Sequence, residues 1–322
     1  MPKRETEFQR YKLSKLCLYI NIKTSNMTSK LNRRKMLKNL GLGAGMLSFG
    51  NFSEILGNEI QQSDFQVFSS GKMNLSVCRW CYADIPLKEF ARECKKMGIT
   101  AMDLLKPSEW GVVEKEGLVC SMATDDFASI TKGFNDLRNH ATLQEQYRGL
   151  IKQASEHNIK NVICFSGNRN GMDDESGIAN CIKGLSPLLD YAQALGVNLV
   201  MELLNSKIDH ADYMADHTSL GVQLAKRLGK PNFKLLYDIY HMQIMEGDVI
   251  RTIRENHEYI NHYHTGGVPG RNEINDSQEL NYPAIMRAIY ETGFEGYVAQ
   301  EFIPTYDDKM AALKEGVNIC DI

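Results

Sequence analysis

One strand–helix–strand unit can be read directly from Gly196–Ile239, GVNLVMELLNSKIDHADYMADHTSLGVQLAKRLGKPNFKLLYDI. Its first apolar run, Asn198–Leu204, is compact enough for a strand that is buried on both faces. Thr218–Leu228 follows with leucines at four-residue steps, which is the spacing of one helix face. A second apolar run, Lys234–Ile239, predicts another strand. Two strands joined through such a helix favour a right-handed crossover within a parallel sheet.

The same alternation of strand and helix extends over most of the chain. Eight apolar runs predict strands: Leu75–Cys78, Thr100–Leu105, Leu118–Met122, Asn161–Phe165, Asn198–Leu204, Lys234–Ile239, Asn261–His264 and Tyr297–Phe302. Amphipathic segments predict a helix after each strand: Pro86–Met97, Glu109–Lys115, Leu143–Glu156, Ile178–Ala194, Thr218–Leu228, Val249–Tyr259, Pro283–Glu291 and Lys309–Val317. Eight such units in about 250 residues predict an α/β protein with a (β/α)₈ TIM barrel. An open doubly wound sheet is the alternative, but the glycine-rich turn that often follows the first strand of that fold does not occur here.

Charge is distributed unevenly along the 322 residues. Residues 1–38 carry 11 Lys/Arg and 2 Asp/Glu, and the remaining chain carries 26 and 38. The acidic body argues against a nucleic-acid partner, which would require a basic face. A composition of 43% hydrophobic and 24% charged residues is typical of a globular protein and excludes a disordered chain. Since no apolar run reaches about 18 residues, we expect no stable membrane span.

The N-terminal region is predicted to be separate from the barrel. Residues 1–60 are interpreted as an extension and residues 61–73 as a polar linker, so the barrel domain is placed at residues 74–322. Arg33-Arg34 precede the short glycine-rich run Asn39–Gly50, and this combination resembles a twin-arginine export signal. The resemblance predicts an exported, periplasmic protein, whereas a basic tail on a cytoplasmic protein is the alternative. No Ala-x-Ala cleavage site follows, and either Met1 or Met27 can be the true start.

The eight cysteines are scattered along the sequence. Cys78 and Cys81 form a lone CxxC with no second pair, so a structural zinc site is not expected there. We interpret most of the cysteines as small buried apolar residues.

Metal-capable side chains occur where four successive predicted strands end. Glu202, Asp238, His264 and Glu301 lie at the ends of the fifth to eighth strands, and the carboxyl ends of barrel strands are where TIM barrels place their chemistry. Three carboxylates that are buried together repel one another unless a cation compensates them. The pattern therefore predicts one divalent metal ion. Mixed oxygen and nitrogen donors favour Mn²⁺, with Mg²⁺, Co²⁺ or Zn²⁺ as alternatives.

Each of these residues also has a simpler interpretation. A single glutamate at a strand end is commonly an ion-pair or capping residue, and His264 alone could be a hydrogen-bonded structural histidine. We expect His262 to face the side of its strand opposite to His264 and to be structural. Trp80 and Trp110 are interpreted as packing residues. The metal site is specific only because the four candidates occur on four consecutive strands.

The sequence around the sixth and seventh strands resembles the hydroxypyruvate isomerase family. The resemblance is carried by three segments, Tyr237–Asp248 (YDIYHMQIMEGD), Val268–Glu273 (VPGRNE) and Leu280–Pro283 (LNYP). This family belongs to the xylose-isomerase-like (sugar phosphate isomerase/epimerase) barrels, which also include ketose epimerases. The resemblance implies a divalent metal held by Glu202, Asp238, His264 and Glu301. It further implies that Glu202 and Glu301 are catalytic and that His241 and Arg271 bind substrate.

The implied reaction is the isomerisation of a sugar or hydroxy-keto acid by proton transfer through a cis-enediolate. Ketose C3-epimerisation at the same site is an alternative, as is an exported sugar-binding barrel without catalysis. The resemblance also implies a homo-oligomer. Endonucleases of abasic DNA share the architecture, but they require more histidines and a basic groove than this chain offers.

Two positions depart from the hydroxypyruvate isomerase pattern. Members of that family tend to have Gln at the third ligand position, whereas the ketose epimerases have His, and this chain has His264. Ile303 occupies a position where members often have Arg. If that arginine helps to hold an anion, the substrate of this chain lacks the carboxylate.

Overall fold

The computed structural model describes residues 73–322, which form a closed barrel of eight parallel strands in chain order. The strands are β1 (Asn74–Cys78), β2 (Ala101–Leu105), β3 (Val119–Ala123), β4 (Asn161–Cys164), β5 (Asn198–Leu203), β6 (Phe233–Asp238), β7 (Ile260–Thr265) and β8 (Tyr297–Gln300). Pairing of β8 with β1 closes the barrel. The predicted (β/α)₈ fold is confirmed. The predicted export signal and nearly all of the predicted linker lie outside the described residues.

Every strand is followed by at least one α-helix. The helices are α1 (Leu87–Lys96), α2 (Pro107–Lys115), α3 (His140–Glu156), α4 (Asp174–Ala194), α5 (Thr218–Leu228), α6 (Ile239–Met245), α7 (Val249–Asn256), α8 (Tyr282–Glu291) and α9 (Lys309–Cys320). Eight of them correspond to predicted helices. The sequence did not predict α6, because its first residues continue the apolar run of β6. Asp238 ends β6 and caps α6 by accepting a hydrogen bond from the backbone N–H of His241 at 3.2 Å.

Strand register places the predicted ligands at one rim of the barrel. Asp238 pairs with His264 between β6 and β7, and Thr265 pairs with Gln300 between β7 and β8. Glu301 is the residue after Gln300, so it lies just beyond the carboxyl end of β8, next to the paired Asp238 and His264. Glu202 lies on the neighbouring strand β5. Parallel pairing thus brings side chains that are about 100 residues apart in sequence to the same carboxyl end of the barrel.

His262 lies on the same face of β7 as His264, so the expectation of opposite faces was wrong. Side chains two residues apart along a strand point to the same side. Both rings approach the carboxylate of Asp103 inside the barrel, at 3.0 Å from His262 and 2.8 Å from His264. His262 is therefore an interior residue directly below the predicted ligand.

Amide side chains occupy the barrel interior at the amino-terminal end. Oδ1 of Asn161 accepts hydrogen bonds from Asn198 at 3.0 Å and from Asn261 at 2.7 Å. Nδ2 of Asn161 donates to the backbone carbonyl of Ser121 at 3.1 Å. Because these polar groups are paired, their burial is tolerated.

The seven cysteines of the described region are all buried and free, as predicted for most of them. Trp110 is buried in the core, in agreement with its interpretation as a packing residue. Within residues 73–322, no helix is both long enough and apolar enough to cross a membrane.

Candidate active site

The four predicted ligands meet at the carboxyl rim. One ligand atom from each of Glu202, Asp238, His264 and Glu301 lies within 4.8 Å of the others, and all four side chains are buried. Three carboxylates and one imidazole form a donor set that suits a divalent ion with mixed oxygen and nitrogen ligands. The structure thus brings together the residues that the sequence singled out from four separate strands.

The surroundings of Nδ1 of His264 show whether these four residues fit a metal ion. It lies 2.6 Å from Oε2 of Glu301 and 3.2 Å from Oε1 of Glu202. Despite these distances, the nitrogen is buried and has no partner with hydrogen-bond geometry. A buried nitrogen that faces two carboxylates without a hydrogen bond is the arrangement expected of a metal ligand, so the residues fit a divalent cation.

The carboxylates differ in their electrostatic surroundings. Burial raises the pKa of Asp238 above its ordinary value, although Arg271 opposes this shift. Burial acts in the same direction on Glu301, but Arg271 and His264 outweigh it and hold the pKa of Glu301 well below its ordinary value. Glu301 is therefore held in its charged form more firmly than Asp238.

Arg271 lies against the same carboxylates. Its Nη2 atom donates to Oδ2 of Asp238 at 2.9 Å and to Oε2 of Glu301 at 2.5 Å. The guanidinium also lies between two aromatic rings, 5.4 Å from the centroid of Trp80 and 5.2 Å from that of Tyr240. Hydrogen bonds and ring contacts together fix the plane of the guanidinium at the mouth of the site.

His241 is held by Asn205. Oδ1 of Asn205 accepts hydrogen bonds from the backbone N–H groups of Ile208 at 3.0 Å and Asp209 at 2.9 Å, so the amide nitrogen is the atom that faces the ring. This nitrogen lies 2.6 Å from Nδ1 of His241. Burial, aided by the charge of Arg271, holds the pKa of His241 well below its ordinary value, so the ring is neutral. A neutral ring that accepts at Nδ1 carries its proton on Nε2.

Two donors consequently converge beside the carboxylates. Nε2 of His241 and Nη1 of Arg271 are 3.1 Å apart, and both carry hydrogen. With its proton on Nε2, His241 cannot accept from Arg271, and an oxygen atom that lies beside both nitrogens could accept from both. The arrangement therefore suits a ligand that presents hydroxyl or carbonyl oxygens next to the four side chains that could hold a metal ion.

Sequence reasoning missed two residues that contact the site. Trp80 follows β1, is 43% exposed, and donates from Nε1 to Oε1 of Glu301 at 2.7 Å, so it does more than pack. Asp103 on β2 accepts from both His262 and His264, and these contacts outweigh the effect of burial and hold its pKa well below the ordinary value. A carboxylate within the apolar run Ala101–Leu105 was the available signal for Asp103.

Comparison with known proteins identifies relatives with two kinds of activity. Over 108 residues the chain is 32% identical to a putative hydroxypyruvate isomerase of Homo sapiens, a match that covers 34% of this chain and 39% of that protein. Over 137 residues it is 33% identical to the D-psicose 3-epimerase of Agrobacterium fabrum, a match that covers 38% of this chain and 45% of that protein. The chain thus spans less than half the length of each of these relatives.

The wider comparisons concern the fold. The crystal structure of an AP endonuclease, family 2, from Brucella melitensis is similar with a TM-score of 0.68 at 22% identity, covering 75% of this chain and 97% of that chain. At this identity the likeness shows a shared fold and nothing about activity. A family model described as the xylose isomerase-like TIM barrel matches residues 65–320. The chain therefore belongs to the xylose isomerase-like TIM barrel family.

Proposed function

We propose that this chain is a divalent-metal-dependent isomerase that moves a proton next to the carbonyl group of a sugar or hydroxy-keto acid. The observation that carries the proposal is the convergence of Glu202, Asp238, His264 and Glu301 within 4.8 Å at the barrel rim. The similarity to a putative hydroxypyruvate isomerase and to a psicose epimerase supports the same class of reaction.

The four rim residues would hold one divalent ion, with Mn²⁺ as the ion that their mixed donors favour. When bound, the ion would supply Lewis-acid stabilisation of the negative charge that develops on a cis-enediolate. The chain itself has to bind the substrate oxygens and to move the proton.

The two glutamates differ in how freely they can move a proton. Glu301 is engaged on both oxygens, since Trp80 donates to Oε1 while Arg271 and His264 lie against Oε2. Within the described residues, the one ion-pair contact of the Glu202 carboxylate is that with Nδ1 of His264 at 3.2 Å. We therefore assign the abstraction of the proton to Glu202, which afterwards releases it to water. We assign the return of a proton to Glu301, which has to take up this proton from water before it can give it to the substrate. Acid–base transfer of this kind contributes roughly 10²–10⁴-fold to a rate.

His241 and Arg271 bind and polarise the substrate. Nε2 of His241 and Nη1 of Arg271 lie 3.1 Å apart. One carbonyl or hydroxyl oxygen of the substrate that lies beside both nitrogens would accept from both N–H groups. Hydrogen bonds to this oxygen grow stronger as it gains negative charge.

Ketose C3-epimerisation is the second candidate, and His264 is the observation that favours it. The ketose epimerases have His at this ligand position, whereas the hydroxypyruvate isomerases tend to have Gln. Isomerisation returns the proton to the neighbouring carbon, and epimerisation returns it to the opposite face of the same carbon. The same two glutamates serve either outcome.

Ile303 bears on the choice of substrate. Its side chain is 43% exposed on the segment after β8, so this position offers an apolar surface in place of a cation. Arg271 is already engaged with Asp238 and Glu301. We therefore expect neutral keto-sugars to be better substrates than hydroxypyruvate.

Solvent deuterium exchange tests the proposal. The full chain is stripped of metal with a chelator, reloaded with Mn²⁺, and incubated in D₂O with hydroxypyruvate and with a set of ketohexoses. An isomerase moves label to the adjacent carbon, and an epimerase labels the inverted centre, as resolved by NMR. Exchange that requires Mn²⁺ supports the proposal. Absence of exchange with every substrate, combined with tight sugar binding, would support the sugar-binding barrel instead.

A further inference from the structure

Asp103 lies outside the four strands that carry the rim residues, yet it contacts one of them through the barrel interior. Its Oδ2 atom is 2.8 Å from Nε2 of His264 and 3.0 Å from Nε2 of His262. All three side chains are fully buried. Because β2 and β7 are not neighbours in the sheet, these contacts cross the interior of the barrel.

The carboxylate of Asp103 is held from its other side as well. The hydroxyl of Ser121, on the adjacent strand β3, donates to Oδ1. A carboxylate accepts hydrogen bonds and cannot donate them, so each imidazole must present an N–H group at Nε2. Nε2 of His264 therefore carries a proton and is not free to bind a metal.

We infer that Asp103 is a positioning residue that directs Nδ1 of His264 toward the metal-binding side chains of the rim. The inference rests on the proposed metal-dependent function. With Nε2–H held by Asp103, the remaining nitrogen faces Oε1 of Glu202 and Oε2 of Glu301. A carboxylate that accepts from a ligating histidine fixes the orientation of the ring and raises its basicity.

Cys78 allows a competing interpretation of the same cluster. Its Sγ atom lies 3.8 Å from Oδ2 of Asp103 and 3.8 Å from Nε2 of His264, so these three residues could hold an ion of their own. Such an inner site would require Nε2 of His264 without its proton, and the hydrogen bond to Asp103 would then be lost. The two interpretations differ in which nitrogen of His264 binds metal.

Metal affinity separates these interpretations. The full chain and three variants, Asp103→Asn, Ser121→Ala and Cys78→Ala, are freed of metal and titrated with Mn²⁺, with free Mn²⁺ followed by electron paramagnetic resonance. Since outer partners of metal ligands contribute about 10–100-fold to affinity, Asp103→Asn should raise the Kd by about that factor. Ser121→Ala, which keeps the carboxylate but removes its hydroxyl partner, should raise the Kd by a smaller factor. Cys78→Ala is the matched control in the same cluster and should leave the Kd unchanged.

A second readout identifies the nitrogen that binds, which a merely structural role of Asp103 would not determine. In the chain labelled with ¹⁵N-histidine and loaded with Zn²⁺, His264 should be coordinated through Nδ1 and should retain a slowly exchanging proton on Nε2. Asp103→Asn should accelerate the exchange of this proton. If Asp103→Asn does not fold, Ser121→Ala reports on the same hydrogen bond.

The outcomes distinguish this inference from the proposed function. Wild-type affinity in Asp103→Asn, or in Ser121→Ala where the first variant does not fold, overturns the inference and leaves the rim site standing. So does coordination of His264 through Nε2. A second equivalent of Zn²⁺ that disappears in Cys78→Ala overturns it in favour of the inner site. A wild-type chain that binds no divalent ion overturns both the inference and the proposed function.

Discussion

Nη2 of Arg271 donates a hydrogen bond to Oδ2 of Asp238 at 2.9 Å. The guanidinium supplies positive charge to a site in which three carboxylates are buried within a few ångströms. The backbone of Arg271 is also held, since its N–H donates to Gly267 at 2.8 Å and its carbonyl accepts from the N–H of Ile303 at 2.6 Å. The loop after β7 is thus tied to the segment after β8, with the guanidinium between the carboxylates.

Arg271→Met should destabilise the metal-free chain. Removal of one partner of a buried ion pair costs about 3–5 kcal/mol, because the other charge is left uncompensated. Mn²⁺ should recover most of this loss, since a divalent ion supplies the missing positive charge. Thermal and urea unfolding with and without Mn²⁺ measure both effects. Arg254→Met, which removes only an exposed pair with Glu291, is the control and should change little. Equal stabilisation of wild type and Arg271→Met by Mn²⁺ would contradict this account.

Glu202→Gln and Glu301→Gln should each reduce deuterium exchange by roughly 10²–10⁴-fold, because each removes one of the two proton-transfer groups. Their effects on Mn²⁺ binding should be measured in parallel, since both residues are also proposed ligands. At saturating Mn²⁺ the loss of exchange should remain. Glu295→Gln changes an exposed glutamate and serves as the control. Full exchange activity in either site variant at saturating metal would show that its assigned role is wrong.

The barrel was predictable because its signal is repeated and local. Each strand is a short apolar run followed by an amphipathic segment, and the eight repeats reinforce one another. The rim residues followed from one general rule about the carboxyl ends of barrel strands. Glu202 and Asp238 could therefore be placed together from sequence alone, although 36 residues separate them.

The remaining parts of the site depend on contacts that local patterns do not encode. Asp103 meets His264 across the barrel interior, between strands that are neither neighbours in the sheet nor close in sequence. Helix α6 was missed because its residues continue an apolar strand pattern, and its start depends on capping by Asp238. Trp80 reaches Glu301 only because closure of the barrel places β1 beside β8.

Export through the twin-arginine signal remains a prediction. Arg33→Lys/Arg34→Lys keeps the charge of the head but removes the paired guanidinium groups that distinguish such a signal, since Arg and Lys are not interchangeable where planar groups are recognised. In a bacterial host with this export route, we expect the wild-type chain in the periplasmic fraction and the double variant in the cytoplasm. Lys38→Gln lowers the charge but leaves the arginine pair and should be exported. Equal distribution of wild type and double variant between the fractions would exclude a twin-arginine signal.

Exchange of the amide at position 205 with the carboxylate at position 209 should reverse the tautomer of His241. The double variant Asn205→Asp/Asp209→Asn keeps the net charge but places a carboxylate, which can only accept, beside Nδ1 of His241. The ring proton should then move from Nε2 to Nδ1, and Nε2 should turn from a donor into an acceptor toward Arg271. Long-range ¹H–¹⁵N spectra of the ¹⁵N-histidine-labelled chain report the tautomer without any substrate. The loss of one hydrogen-bond donor to a substrate oxygen that gains negative charge costs about 1.5–3 kcal/mol. The rate of deuterium exchange into the substrate should therefore fall by about 10–150-fold. Asn158→Asp, on an exposed residue, is the control. A wild-type His241 that carries its proton on Nδ1 would contradict the assigned role of Asn205.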